Sequence, residues 1–454
     1  MPVAVKTPET ELRIIFRMDI VAHARGAGRM ISPRHGFRPS RLLSAFCLLG
    51  GCLLGGSLFG GSATAATGPI IVGLDGDLSR THARAGEAIR RGMTLAIEEI
   101  NAAGGVLDRR LAIMVRDHAG DHERGARNLE KFAATRDLVA VVGAPYGPKL
   151  HANRKALGEL KFPYFDPWTA RLRQHAGTPD FEFPLIPSAA DAGAYLAGQA
   201  VARGFRAPGL LLEESNRGSA IGEAMIAALA AQGLKPAAVS RFALGETDMG
   251  VALGALLDAR AEAILLVAEP SAAIAIVRTM AVLPANQRRP IMAHWSITGG
   301  RLYPDARDGL AKVDLTFLQT HTFAAPRRPA RAAAVAKAYC RRFPPCRSGT
   351  DIAVPMGTAH AYDVVHILVR AIERAGTTDR DKVRAALEQV QVFEGLVRIY
   401  APAFAPSRRT ALGIGDLRLA RFGKRGVPVP ERRPGPPALQ LGDRGGAPAS
   451  RPHR

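Results

Sequence analysis

Residues 84–117 read RAGEAIRRGMTLAIEEINAAGGVLDRRLAIMVRD, and this stretch decides the fold. Apolar side chains recur at helical spacing through residues 89–100, with charged side chains on the opposite face, which predicts an amphipathic helix. The glycines at 104–105 predict its end, because glycine adopts the left-handed C-cap conformation without strain. Apolar residues 111–115 then predict a strand. Together with the apolar run 70–74 upstream, they complete a strand–helix–strand unit.

The same alternation of short apolar strands and helices continues along most of the chain. Strands that alternate with helices at this spacing predict parallel sheets covered by helices on both faces. The pattern restarts near Pro187, and 454 residues with 47% hydrophobic content are enough to form two cores. The sequence therefore predicts an α/β protein with two doubly wound parallel-sheet lobes.

The first 66 residues have the order of a secretory signal peptide. Basic residues between 34 and 41 precede an uncharged apolar run at 42–59, and small residues at 63–66 follow. This order predicts cleavage near residue 66, although the start of the signal is uncertain. Two alternatives stay open. The apolar run is nearly long enough to anchor the chain in a membrane, and the LGGC segment ending at Cys52 resembles a lipoprotein box.

The other end of the chain predicts a tail. Residues 423–454 are rich in Pro, Gly and Arg and almost lack large apolar side chains, which predicts disorder. The whole chain has a formal net charge of +21, which is typical of proteins that bind nucleic acid or anionic membranes. Here, however, the arginines are scattered among helices rather than clustered with aromatic residues. We therefore expect a solvated basic surface and no nucleic-acid partner.

Two of the four cysteines lie beyond the predicted signal. Cys340 and Cys346 bracket the segment RRFPP. In an oxidising compartment they can close a small loop with a disulfide, which stabilises the fold by about 2 kcal/mol. A zinc site would need two more ligands at suitable spacing, and no second Cys or His pair stands nearby. We expect a disulfide and no metal.

Three segments carry a family resemblance: GMTLAIEEINAAGGV at 92–106, LAIMVRD at 111–117 and LVAVVGAPY at 138–146. In this order they resemble the N-terminal lobe of the branched-chain-amino-acid-type (leucine-binding protein-like) solute-binding proteins of ABC transporters. The similarity runs from about residue 69 to about residue 422. It implies a fold like that of type I periplasmic binding proteins, with a ligand cleft between the lobes, and a location in the periplasm.

The resemblance also implies that the chain crosses between the lobes more than once. Residues 67–187 and about 321–392 are then expected in the first lobe. Residues about 188–320 and 393–422 are expected in the second lobe.

Candidate ligand-binding residues follow the predicted strands, because two-lobed α/β proteins bind ligands outside the carboxyl ends of their parallel strands. The two tryptophans of the chain, Trp168 and Trp295, each follow a strand, one per predicted lobe. They either sandwich an apolar or cationic ligand or pack between the lobes. The resemblance implies that the cleft is lined by Tyr146, Gly147, Trp168, Thr169, Arg217, Glu269 and Trp295.

Two of these positions depart from the family pattern. Gly147 stands where a serine is usual, and Arg217 stands where an aromatic residue is expected. Arg217 either pairs bidentately with a ligand carboxylate or is a solvated arginine at a helix start. The ligand class therefore stays open between an amino acid and another small organic acid or amide.

The resemblance implies a function in transport. The chain would be the substrate-binding component of an ABC uptake system, closing on a small ligand and presenting it to a membrane permease. A ligand-sensing module on the same fold is the alternative. An enzyme is a second alternative, with turnover depending on Asp75, Asp77 or Glu269. No GxGxxG follows the first strand, and Walker A, GxSxG and HExxH motifs are absent, so we expect neither enzyme activity nor a cofactor.

Asp121 is interpreted as a helix N-cap.

Overall fold

The computed structural model describes four parts of the chain: residues 68–145, 159–169, 181–406 and 408–431. The predicted signal at 1–66 and the candidate residues Tyr146 and Gly147 lie outside the described residues. The part of the predicted tail beyond Glu431 also lies outside them.

Strands and helices alternate through the described residues. The strands are β1 (Ile70–Gly76), β2 (Leu111–Asp117), β3 (Leu138–Gly143), β4 (Tyr164–Asp166), β5 (Glu182–Pro184), β6 (Gly209–Glu213), β7 (Val239–Phe242), β8 (Ile264–Val267), β9 (Ile291–Ala293), β10 (Leu315–Gln319), β11 (Phe393–Glu394), β12 (Ile399–Tyr400), β13 (Arg418–Phe422) and β14 (Pro428–Pro430). The α-helices are α1 (Ala83–Ala102), α2 (His122–Ala133), α3 (Ala189–Ala202), α4 (Asn216–Ala230), α5 (Gly250–Asp258), α6 (Pro270–Val282), α7 (Leu302–Leu310), α8 (Pro329–Arg342), α9 (Pro355–Ala375) and α10 (Arg380–Leu387). Short 3-10 helices lie at Trp295–Gly299, Gly349–Asp351 and Ile414–Asp416.

The first sheet contains β1 to β5 in the order β2-β1-β3-β4-β5, and every pairing is parallel. The predicted strand–helix–strand unit forms β1, α1 and β2. Helix α1 buries Ile89, Met93 and Ile100 in the core and exposes Glu98 and Glu99, as its periodicity predicts. This sheet, with α1, α2 and α8 to α10, is the first lobe.

The second sheet has the order β14-β13-β10-β9-β8-β6-β7. Strands β6 to β10 pair in parallel, and β13 and β14 join one edge in antiparallel orientation. Strand residues such as Leu210, Leu265 and Phe317 are fully buried, as parallel strands covered on both faces require. This sheet, with α3 to α7, is the second lobe. The predicted α/β fold with two doubly wound parallel-sheet lobes is confirmed.

Helices α1 and α9 pack closely against each other in the first lobe. A Cβ placed on Gly92 of α1 would lie 2.2 Å from the carbonyl oxygen of Thr358 in α9. Since real side-chain atoms do not approach a carbonyl so closely, glycine is required where the two helices meet. The contact joins helices that are far apart in the sequence and brings the later part of the chain back to the first sheet.

Residues 393–412 pack on the first lobe, which corrects their expected place in the second. The fully buried carboxylate of Asp363 in α9 accepts backbone N–H groups of Leu396 at 2.6 Å and Val397 at 2.9 Å. It also accepts the hydroxyl of Tyr400 at 2.9 Å. A buried carboxylate needs such partners, and it holds this segment to α9. Among the described residues of 393–422, only β13, from Arg418 onward, joins the second sheet.

The predicted tail begins later than residue 423. Residues 428–430 form β14, which pairs with β13 at the edge of the second sheet. Glu431 forms ion pairs with Arg203, directly after α3, and with Arg421 of β13. An edge strand tolerates proline because its outer N–H groups have no ladder partner. The expected boundary at 423 is therefore wrong, because residues 423–431 belong to the second lobe.

Local features bear on the other sequence predictions. Asp121 caps α2, where its side chain accepts the N–H of Arg124 at 2.7 Å, and this confirms the N-cap interpretation. A disulfide joins Cys340 and Cys346. Within the four described parts of the chain, no three His, Cys, Asp or Glu side chains are grouped as a metal ion requires. In the same parts, every helix is too short or too polar to cross a membrane.

Candidate ligand-binding site

The carboxyl ends of the strands in the two sheets meet at four residues, which we call the interlobe contact. His82, between β1 and α1, forms an ion pair through Nε2 with the carboxylate of Glu269, which directly precedes α6. Trp295, after β9, donates its Nε1–H to the carbonyl oxygen of Trp168, after β4, at 3.0 Å. Each pair joins a first-lobe residue to a second-lobe residue, so the sites predicted on separate strands are brought together.

A further polar contact joins the lobes through His360 of α9. Its Nδ1 lies 2.8 Å from the carbonyl oxygen of Pro167, and its Nε2 lies 2.7 Å from Oγ1 of Thr320, after β10. Because a carbonyl only accepts, Nδ1 carries the proton and Nε2 accepts the hydroxyl of Thr320. Burial lowers the pKa of His360 to about 4, so the ring is neutral near pH 7.

Arg217 is buried and paired inside the second lobe. Its Nη2 contacts Oε1 of Glu213, at the end of β6, and Oε1 of Glu269 at 2.5 Å. Burial lowers the pKa of Arg217, but the charges of the two carboxylates outweigh burial and raise it above its ordinary value. The guanidinium is therefore fixed by two protein carboxylates and is not a solvated group at a helix start.

Glu269 connects Arg217 to the first lobe. Burial opposes its ionisation, but the charges of His82 and Arg217 outweigh burial and hold its pKa below the ordinary value. The carboxylate is therefore ionised in the neutral pH range. One of its oxygens, Oε1, contacts Arg217 of its own lobe. Its other oxygen contacts His82 of the opposite lobe.

Both tryptophans are buried against protein groups. Trp295 is fully buried, and its ring lies against that of His294 in a tilted arrangement, with a centroid distance of 3.7 Å. Trp168 is 3% exposed. The N–H of Thr169 donates to Asp166 at 2.7 Å, which fixes the turn that carries Trp168. In this conformation the indoles pack between the lobes, so a ligand reaches the space between them only when the lobes separate.

The carboxylates that follow β1 support the loop. Asp77 accepts the backbone N–H groups of Arg80 at 2.7 Å and His82 at 2.8 Å, which places His82 toward the second lobe. Asp75 accepts Nδ2 of Asn128 at 2.8 Å, and burial raises its pKa to about 8. Asp77 therefore bonds to the backbone of its own loop, whereas Asp75 bonds to the side chain of Asn128.

The two-lobed arrangement is matched by known proteins. A family model described as periplasmic binding protein matches residues 69–426. The chain belongs to the periplasmic binding protein family. A comparison with curated proteins found no match.

Solved structures of bacterial proteins share the fold of this periplasmic binding protein. A periplasmic binding protein type 1 from Bordetella pertussis Tohama I is 23% identical with a TM-score of 0.70, covering 80% of this chain and 100% of that one. A leucine binding protein from Thermotoga maritima MSB8 is 18% identical with a TM-score of 0.66, covering 80% and 97%. A solute binding protein of an ABC transporter from R. palustris, solved with benzoate, is 15% identical with a TM-score of 0.65, covering 80% and 95%.

In this periplasmic binding protein, several buried polar atoms at the strand ends of the second lobe have no hydrogen-bond partner. They are Oε2 of Glu213, Nε2 of His294, both amide atoms of Gln319 and both ring nitrogens of His321. A buried polar atom without a partner costs about 1–3 kcal/mol. A concentration of such atoms at strand ends is typical of a site that a bound molecule or water completes.

Sequence reasoning missed His82 and did not select Glu213 or His294 as site residues. Glu213 ends β6 and His294 follows β9, so the strand-end rule alone points to both. His82 has a weaker signal, because it stands at the start of α1 rather than directly after β1. Only the tertiary structure of this periplasmic binding protein brings it to Glu269.

Proposed function

We propose that this periplasmic binding protein is the substrate-binding component of an ABC-type uptake system. It captures a small organic ligand between its lobes by hinge closure. One observation carries the proposal: the carboxyl ends of both parallel sheets meet at the interlobe contact, where α/β proteins place their ligands. Residues Tyr146, Gly147, Trp168, Thr169, Arg217, Glu269 and Trp295 are proposed to line the cleft.

Closure works through contacts that only the closed form makes. When the lobes separate, His82 leaves Glu269 and Trp295 leaves Trp168, so four mostly buried side chains become available to a ligand. A ligand that binds both walls favours the closed form by its difference in affinity for the two forms. Binding is non-covalent: apolar walls supply affinity, and a few polar groups fix orientation.

The closed protein then delivers its ligand to a membrane permease outside the cytoplasm. The signal-like order of residues 1–66 supports export to the periplasm, with a lipid on Cys52 as the alternative mode of attachment. Solved relatives bear names or ligands that include leucine and benzoate. We therefore propose a small amino acid, organic acid or amide as the ligand.

Isothermal titration of the purified protein tests the proposal. The panel comprises amino acids, aromatic acids, their amides and the corresponding amines. We expect one molecule of at least one compound to bind per chain and to raise the melting temperature, because a ligand that binds only the folded state stabilises it. Absence of binding across the panel, by a protein with cooperative thermal unfolding, contradicts the proposal.

A further inference from the structure

The charges beside the interlobe contact have no excess of positive charge to balance a ligand carboxylate. Arg217 keeps one unpartnered donor, Nε, but two carboxylates already neutralise its charge. Glu213, Arg217, Glu269 and His82, which we call the charge cluster, are joined by ion pairs and are almost completely buried. Their formal charges sum to −1, and they reach zero only when His82 is protonated. A carboxylate placed here would add negative charge to a buried group with no excess of positive charge, which is energetically unfavourable.

An unused acceptor lies within this cluster. Oε1 of Glu213 accepts Ser215 Oγ at 2.9 Å and contacts Arg217. Oε2 of the same fully buried carboxylate has no hydrogen-bond partner. An ionised carboxylate only accepts hydrogen bonds, so the group that completes Oε2 must be an N–H or O–H donor.

An unused hydrogen-bonding atom lies on the neighbouring His294. Its Nδ1 lies 2.9 Å from Oγ and 3.2 Å from the backbone nitrogen of Ser296, whose hydroxyl donates to the carbonyl of Ala268 at 2.8 Å. Burial and the charge of Arg217 hold the pKa of His294 well below its ordinary value, so the ring is neutral. Nδ1 therefore has its partner in Ser296, whereas the buried Nε2 has none.

From these two groups we infer the class of ligand: a small molecule whose amine, amidine or primary amide nitrogen donates to Glu213 and whose second polar group, where it has one, forms a hydrogen bond with Nε2 of His294. A molecule whose only polar group is a carboxylate is rejected by the charge cluster. This inference rests on the proposed function, because it names the ligand class of the same cleft.

Compounds that share a carbon skeleton but differ in their polar group test the inference. The first set is 4-methylpentylamine, leucinamide, 4-methylpentanamide and 4-methylpentanoate, and the second is benzylamine, benzamidine, benzamide and benzoate. Titrated into the purified protein, at least one nitrogen-bearing member is expected to bind, at least tenfold more tightly than the carboxylate of its set. A carboxylate that binds as tightly as its nitrogen-bearing partners overturns the inference and leaves the proposed function standing. No binding by any compound counts against both.

A matched pair of variants tests the role of Glu213. Glu213→Gln keeps the shape of the side chain and removes its charge, whereas Glu214→Gln removes the charge of its exposed neighbour. We expect E213Q to weaken binding of the tightest nitrogen-bearing compound by at least tenfold and to reduce discrimination against the carboxylate of the same set. We expect E214Q to change neither. Equal affinities for E213Q and the unmodified protein, with both folded by circular dichroism, overturn the assignment of Glu213.

Discussion

Single buried carboxylates at the strand ends differ in protonation because their neighbours differ. Asp75 accepts one amide hydrogen bond and contacts no cation closely enough to offset burial, which raises its pKa to about 8. Glu269 is mostly buried too, but His82 and Arg217 outweigh burial and lower its pKa. The same edge of the fold thus holds one carboxyl that is neutral over most of the physiological range and one that is ionised.

Replacing Asp75 with asparagine should flatten the pH dependence of stability. Because the pKa of Asp75 is about 8 when folded and 3.8 ordinarily, its contribution is fully present below pH 3.8 and is lost as the pH rises through 8. Asparagine keeps an acceptor for Asn128 and does not ionise. We expect D75N to be more stable than the unmodified protein at pH 8 by ~2 kcal/mol or more.

Urea denaturation at several pH values between 4 and 8 measures this effect. Asp308→Asn, at an exposed position of α7, serves as the control. If the free energy of unfolding changed with pH in the same way for D75N and the unmodified protein, the raised pKa of Asp75 would be contradicted.

Glu269 should show the opposite pH dependence. Since its folded pKa lies below the ordinary 4.5, its stabilising contribution is present above about pH 4.5 and is lost as the pH falls further. Glu269→Gln leaves Arg217 with one carboxylate and His82 without an anionic partner. We expect a loss of about 3 kcal/mol in the free energy of unfolding at pH 7, since breaking a buried ion pair leaves uncompensated charge.

The control for Glu269→Gln is Glu223→Gln, at an exposed position of α4. Both variants are compared with the unmodified protein by urea denaturation at pH 7. Equal stability of E269Q and E223Q would show that the ion pairs of Glu269 contribute nothing to folding.

Among the elements, the packing of α1 against α9 should be the contact at which added side-chain volume lowers the stability of the protein most. Gly92→Ala would bring a Cβ to 2.2 Å from the carbonyl of Thr358, whereas Gly254→Ala in α5 meets no atom within 4 Å. Alanine favours a helix by up to about 1 kcal/mol over glycine. We expect G254A to be slightly stabilising and G92A to be destabilising by ~2 kcal/mol, because overpacking forces the helices apart.

Thermal unfolding of the two glycine variants gives the comparison directly. A G92A protein that melts at or above the temperature of G254A would contradict the close approach of α1 and α9.

The elements also show how far the sequence determines the fold. Helix α1 could be predicted because its apolar residues repeat with the helical period and face one core. The place of residues 393–412 could not, because it depends on hydrogen bonds to Asp363, a buried polar residue that hydrophobic periodicity treats as an exception. Likewise, strand ends indicated Arg217 and Glu269, but only the folded chain reveals that His82 pairs with Glu269.

At the scale of the whole molecule, the second lobe extends to Glu431. Ending the chain after residue 422 removes β14 and the ion pairs of Glu431 with Arg203 and Arg421, whereas ending it after residue 431 keeps them. We expect the shorter chain to lose about 2 kcal/mol or more in the free energy of unfolding, because buried ion pairs are broken and an edge strand is lost. The longer chain should match the full-length protein.

Urea denaturation of the two truncated chains and the full-length protein measures the difference. Identical midpoints for the chains ending at 422 and 431 would contradict the role of β14.

The transport proposal requires the lobes to move relative to each other when ligand binds. Val392 in the first lobe and Val251 in the second are 64% and 85% exposed, so cysteines at both positions can carry spin labels without disturbing the core. Val282, 82% exposed in the second lobe, supplies a control pair with Val251. Motion between the lobes changes the first distance and leaves the second unchanged.

Pulsed electron paramagnetic resonance on V251C/V392C, with and without the tightest-binding compound of the panel, therefore tests ligand capture most directly. Hinge closure predicts that the distance distribution shifts and narrows when the compound is added, while that of V251C/V282C stays the same. Saturating binding by calorimetry with an unchanged V251C/V392C distribution would contradict capture by closure of the two lobes.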